Sequence, residues 1–161
     1  MLARLRMKRI YSLRTKHRPE LLFAIMHALA GEDAWISFEG RLSHTDLVKI
    51  EGISFEETEV LRRGTLWPLL DFLVLPLKPA LLPTIEKAVV SKIAFSGYAG
   101  IVHVQIESRG EIAFAAYDHF HEECVTAFPA VPETLLAELV EKGVLYSYER
   151  GQSAEEKGNE D

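Results

Sequence analysis

RPELLFAIMHAL at residues 18–29 and KPALLPTIEKAV at residues 78–89 align without a gap at an offset of 60. Proline, two leucines, isoleucine and alanine coincide, and the first position is basic in both. Proline in the first turn followed by apolar residues at helical spacing predicts a helix in each stretch. In the first, Leu21, Leu22, Ile25, Met26 and Leu29 share a face, and Gly31 marks the stop. In the second, Pro79 or Pro83 opens the helix, with Ile85, Ala88 and Val89 inward. A third helix is expected from Pro132, with Leu135, Leu136, Leu139 and Val140 inward and Gly143 as its stop.

Strands are expected where short apolar runs are rich in β-branched and aromatic residues. Such runs cover Arg9–Thr15, Ala34–Glu39, Leu47–Ile50, Glu57–Arg62, Asp71–Leu77, Ile101–Glu107, Glu111–Tyr117 and Val144–Tyr148. Each matching helix therefore follows one strand and precedes at least two more. This order suggests a tandem of β-α-β-β(-β) halves over 8–64 and 69–118, with an added helix and strand over 131–149. Two proline-started amphipathic helices could also converge on these residues without duplication. Either way the pattern is α+β: one domain over 1–152, with three helices against a mixed or largely antiparallel sheet.

The hairpin around Ser108-Arg109-Gly110 is the firmest pairing. A three-residue loop sets Ile106 opposite Ile112, Val104 opposite Phe114 and Val102 opposite Ala116, which gathers apolar residues on one face. The other face then carries His103, Gln105, Ala113 and Ala115, with Tyr117 at its end.

The chain has 161 residues and a net charge of −6 that hides an asymmetry. Residues 1–18 hold seven of the 18 Lys and Arg (Arg4, Arg6, Lys8, Arg9, Arg14, Lys16 and Arg18) and no acid. The remainder carries 11 bases against 24 acids, or −13. The basic start is a candidate nucleic-acid arm through Arg4, Arg6, Lys8, Arg9, Arg14 and Lys16, a targeting segment, or a cover for the acidic remainder. Met7-Lys8-Arg9-Ile10 reads as an ordinary start, which makes residues 1–6 a candidate extension. Residues 153–161 lack large apolar side chains and are expected to form a mobile acidic tail.

A single cysteine, Cys124, excludes an intrachain disulfide and, with no secretory signal pattern, favours the cytoplasm. The longest apolar region, 66–83, contains Asp71, Lys78 and four prolines, which excludes an uninterrupted membrane helix.

YDHFHEEC at 117–124 gathers His119, His121 and Cys124 with Asp118, Glu122 and Glu123. These are metal donors, and His103 from the preceding strand could complete a zinc or iron site with Glu122 or Glu123 as base. The plainer reading is a polar connector anchored by Phe120 and capped by Asp118. Asp71, between apolar residues and near Arg62 and Arg63, is a candidate catalytic acid or a strand-entrance acid that bonds backbone amides. Trp35, Glu39, Trp67, Tyr98 and Tyr117 are candidates for a ligand or partner surface. No phosphate-binding GxxxxGK[ST] loop, GxGxxG turn or GxSxG elbow is present.

The expected function is therefore that of a small protein-binding protein without catalysis. Its partner would be a basic protein, as for an inhibitor or immunity protein, or a second copy paired through an exposed strand such as Val144–Tyr148. A metal-dependent enzyme and a nucleic-acid-binding protein are the alternatives.

Overall fold

The computed structural model describes residues 9–94 and 100–151. Arg4, Arg6, Lys8, Tyr98 and the acidic tail expected over 153–161 lie outside those residues. The elements run β1 (Ile10–Thr15), α1 (Arg18–Leu29), β2 (Ala34–Gly40), β3 (Asp71–Pro76), α2 (Leu82–Ala94), β4 (Ile101–Ser108), β5 (Glu111–Ala116), β6 (Val125–Ala127), α3 (Glu133–Glu141) and β7 (Leu145–Gly151). The seven strands form one antiparallel sheet in the order β3-β2-β4-β5-β6-β1-β7. This is an α+β fold.

Because side chains alternate along a strand, the two faces of the sheet carry different residues. Ile36, Phe38, Leu73, Leu75, Val104, Ile106, Phe114 and Ala116 point to the face covered by the helices, and with them they form the main core. Helix α1 adds Leu21, Leu22, Ile25, Met26 and Leu29, all buried, while α2 adds Ile85, Val89 and Ile93 and α3 adds Leu136 and Leu139. Burying each such side chain contributes about 1.5–3 kcal/mol. This burial explains why the helical periodicity is so regular in the sequence.

Helix α3 ends as its glycine predicts. Gly143, at φ +77°, lets its own N–H reach the Val140 carbonyl and that of Val144 reach the Leu139 carbonyl. This pair of bonds closes the last turn in a Schellman arrangement, which a left-handed glycine makes inexpensive.

Two expected strands do not form. Leu47–Ile50 lies in a 3-10 turn and the Ile50 stretch beyond it, and Glu57–Arg62 lies in an irregular segment. Each is organised around one fully buried leucine, Leu47 or Leu61, rather than by pairing along its length. In the first half, α1 is thus followed by one strand, whereas α2 is followed by two. The three-residue strand β6 was not anticipated.

The hairpin also differs from expectation. Arg109 and Gly110 both lie at positive φ, so the loop has two residues, with Ser108 opposite Glu111 and Glu107 opposite Ile112. A bulge at Ala113 then restores the apolar face, setting Ile106 opposite Phe114 and Val104 opposite Ala116. The turn matches the twist of the strands, and the extra residue in β5 reverses which way Ile112 points. Ile112 therefore packs against Leu61, Phe72 and Val74 on the face away from the helices.

That second face is covered by the segment from 54 to 65. It begins with Ser54, which exchanges backbone hydrogen bonds with Val74 on the outer edge of β3, and then crosses the sheet as a strap.

Candidate functional site

The strap is held by polar groups that rise from the sheet. Glu39 on β2 is only 2% exposed, and its two carboxylate oxygens accept from the N–H groups of Gly64 (2.7 Å) and Thr65 (3.1 Å). Glu39 is therefore a fastener beneath the strap rather than part of a partner surface. Gly64 passes so close to the sheet that an added Cβ would lie 2.9 Å from Cδ2 of His103. Only a residue without a side chain fits that approach.

His103 on β4 is paired across the sheet with Glu39 and is 5% exposed. Its Nδ1 accepts from the Asp118 N–H at 3.1 Å, which leaves Nε2 to carry the ring proton and donate it to Thr65 Oγ1 at 2.7 Å. Burial pushes the His103 pKa below its ordinary value; the carboxylates of Glu39 and Asp118 oppose that shift and nearby His119 adds to it. The imidazole is thus neutral, with both nitrogens engaged inside the protein.

Gln105, two residues on, is fixed in the same way. Its Oε1 accepts from the Arg62 N–H, and its Nε2 donates to the Arg62 carbonyl and to the Tyr117 hydroxyl, both at 2.9 Å. Tyr117 also meets the His103 ring edge-on, with centroids 5.2 Å apart. Burial raises the Tyr117 pKa, so the phenol keeps its proton. Between strap and strands lies a cleft of about 550 Å³, lined by polar Arg62, Thr65 and Tyr117 and by apolar Val60, Ile112 and Phe128.

The metal-donor stretch turns sharply beyond β5. Asp118, His119 and Phe120 are consecutive left-handed residues with φ of 51°, 56° and 61°. Aspartate and histidine tolerate this region better than most residues, but a bulky phenylalanine does so at a cost. The turn carries the chain from Tyr117 on the cleft face to Phe120, which is buried in the core at 6.4 Å from the ring of Phe114. It is fastened by the His119 N–H on the Val102 carbonyl and the Tyr117 N–H on the Cys124 carbonyl.

His103 and Asp118 thus come together, but through the Asp118 backbone. His121 Nδ1 accepts from the Glu123 N–H, and Nδ1 of His119 is buried without a hydrogen-bond partner among the described residues. Burial, Asp118 and Glu123 all raise the Cys124 pKa, which favours the thiol over a metal-binding thiolate. Among the described residues, no group of three or more His, Cys, Asp and Glu converges to hold a metal ion. Glu122 and Glu123 instead share a surface depression of about 200 Å³ with Arg14, Ser12 and Glu149.

The remaining candidates lie apart from the cleft. Asp71 is exposed at the start of β3, where it accepts from the Leu42 N–H at 3.0 Å, the strand-entrance role. Arg9 is exposed just ahead of β1. Lys16 sits over the ring of Tyr146. Trp35 is partly exposed at the far end of β2. Trp67 is 89% exposed on the loop that leads from the strap back to β3, between Leu66 at 79% and Leu69 at 65%. Phe55, also exposed, lines one hollow with Leu69, Leu42 and Val48. Thr65 was not singled out in the sequence, and Arg62 was named only as a neighbour of Asp71; Gly64, between Arg63 and Thr65, was the one local sign of a close backbone approach.

The chain matches no protein-family model, curated protein or solved structure.

Proposed function

We propose that the protein is a binding protein without catalysis that engages a basic protein partner through the Leu66–Leu69 loop and the acidic segment beside it. The observation that carries this reading is the succession of exposed Leu66, Trp67 and Leu69. Large apolar side chains gathered in the open mark an interaction surface, and tryptophan is enriched among the anchors of such surfaces. Exposed Glu51, Glu56, Glu57 and Glu59 flank Phe55 in sequence and supply the negative rim. Of these, Glu57 is paired with Arg62 at 3.0 Å. A partner with a basic rim around an apolar pocket complements this pattern, and the −13 balance beyond residue 18 steers it in.

Capture of partners from host cells by the wild-type chain and by Trp67→Ser tests the reading. The expected result is a basic protein retained by the wild type, released by rising salt, and bound about 30-fold more weakly by Trp67→Ser, the loss of one anchor residue. Retention indifferent to both salt and Trp67→Ser would contradict it. A wild-type dimer that Trp67→Ser dissociates in sedimentation would replace the basic partner with a second copy.

A further inference from the structure

The cleft beneath the strap is the end point of two hydrogen-bond chains whose direction is fixed at their starts. In one, the Asp118 N–H donates to His103 Nδ1, and His103 Nε2 donates to Thr65 Oγ1. The Thr65 hydroxyl already accepts, so its own proton is free to point away from His103. In the other, the Arg62 N–H and carbonyl orient the Gln105 amide, whose Nε2 donates to the Tyr117 hydroxyl. The Tyr117 proton is likewise left to point elsewhere. Neither hydroxyl donates to a protein acceptor among the described residues.

Backbone N–H groups cannot reverse their role, so each chain ends on a hydroxyl that accepts from within the protein and keeps its own proton free to donate into the cleft, beside one remaining lone pair. Thr65 and Tyr117 line the same cleft, and so does Arg62, whose Nε is paired with Glu57 at 3.0 Å. The Glu39 carboxylate is turned onto the strap amides; Asp118 also lines the cleft, with one carboxylate oxygen 4.0 Å from Cys124 Sγ, and Arg63 lines it as a second cation. The apolar wall of Val60, Ile112 and Phe128 stands beside these donors. A volume of about 550 Å³ is that of a small-molecule site.

We propose that this cleft binds a small organic carboxylate, its oxygens held by the Tyr117 and Thr65 hydroxyl protons and the Arg62 guanidinium, and its apolar body lying on Val60, Ile112 and Phe128. This site is separate from the Leu66–Leu69 surface and stands without it. The raised Tyr117 pKa keeps the phenolic donor in place at neutral pH.

Titration of the full chain with benzoate, followed by amide NMR, tests the site, with benzamide as the uncharged counterpart and Tyr117→Phe and Thr65→Val as variants. The expected result is saturable shifts at the amides of Gly64, Thr65, Tyr117 and Asp118. Each variant weakens benzoate binding about fivefold, the loss of one hydrogen bond, while its spectrum elsewhere stays native. Absence of saturation, equal binding of benzamide, or benzoate binding unchanged in both variants would overturn the proposal.

Discussion

The two faces of the sheet are built by different means. Under the helices, apolar side chains from α1, α2, α3 and all seven strands close into one continuous core. Under the strap, the apolar part shrinks to Leu61, Phe72 and Val74 with Ile112 beside them, and polar bonds from Glu39, Gln105 and His103 do the fastening. The contrast teaches a division of labour. Dense apolar burial stabilises the fold whatever the surroundings, whereas a polar network over a small apolar cluster can hold a cleft and an exposed loop in position without closing over them.

The largest effect that would sharpen this comparison is a cavity on each face. Phe38→Ala, beneath the helices, is expected to cost about 3–5 kcal/mol in denaturant unfolding. Leu61→Ala, beneath the strap, is expected to cost about 2 kcal/mol, because its cluster is small and borders the cleft. Equal losses would break the distinction.

Gly64→Ala comes next. Its Cβ would crowd the His103 ring at 2.9 Å and lift the strap, with an expected loss of about 1–3 kcal/mol and altered His103 resonances. An unchanged melting temperature would show that the strap does not need that close approach.

A pH dependence follows from His103. Its pKa in the fold lies below the ordinary value of 6.5, so in mild acid the unfolded chain takes up the proton first. The stability that the neutral ring supplies is complete above that value and is lost as pH falls through it, levelling once the folded state protonates as well. His103→Gln should flatten this part of the stability profile, and a profile identical to that of the wild type would contradict the lowered His103 pKa. The smallest stability effect is expected from Trp67→Ser, within about 0.5 kcal/mol, because an exposed loop side chain supports no packing.

How far the sequence could be read follows the same line. Helices α1, α2 and α3 and the strands β1, β2, β3, β4 and β5 were legible because each buries apolar side chains against the helix-side core, and β7 because Val144–Tyr148 is rich in aliphatic and aromatic residues, although of β7 only Leu145 is buried. Strand β6 was not, since Val125–Ala127 is too short to show alternation. Leu47–Ile50 and Glu57–Arg62 resembled strands because a buried leucine amid mixed residues imitates alternation. The bulge at Ala113 reversed Ile112 because a slip of one residue is invisible in a run such as Glu111–Ala116, which is apolar on both faces. For the site, His103 and Tyr117 could be named from the hairpin. Thr65, the partner of His103, and Arg62, the partner of Gln105, could not, being about 40 residues away on a segment without periodicity.

The division between the faces is tested most directly by native-state hydrogen exchange across a denaturant series. The N–H groups of Arg62, Gly64 and Thr65, which bond only to side chains of the sheet, should exchange through a local opening that costs less than global unfolding and depends weakly on denaturant. The N–H groups paired within β2 and β4 should exchange only through global unfolding. A single opening free energy and denaturant slope shared by both sets would contradict the account.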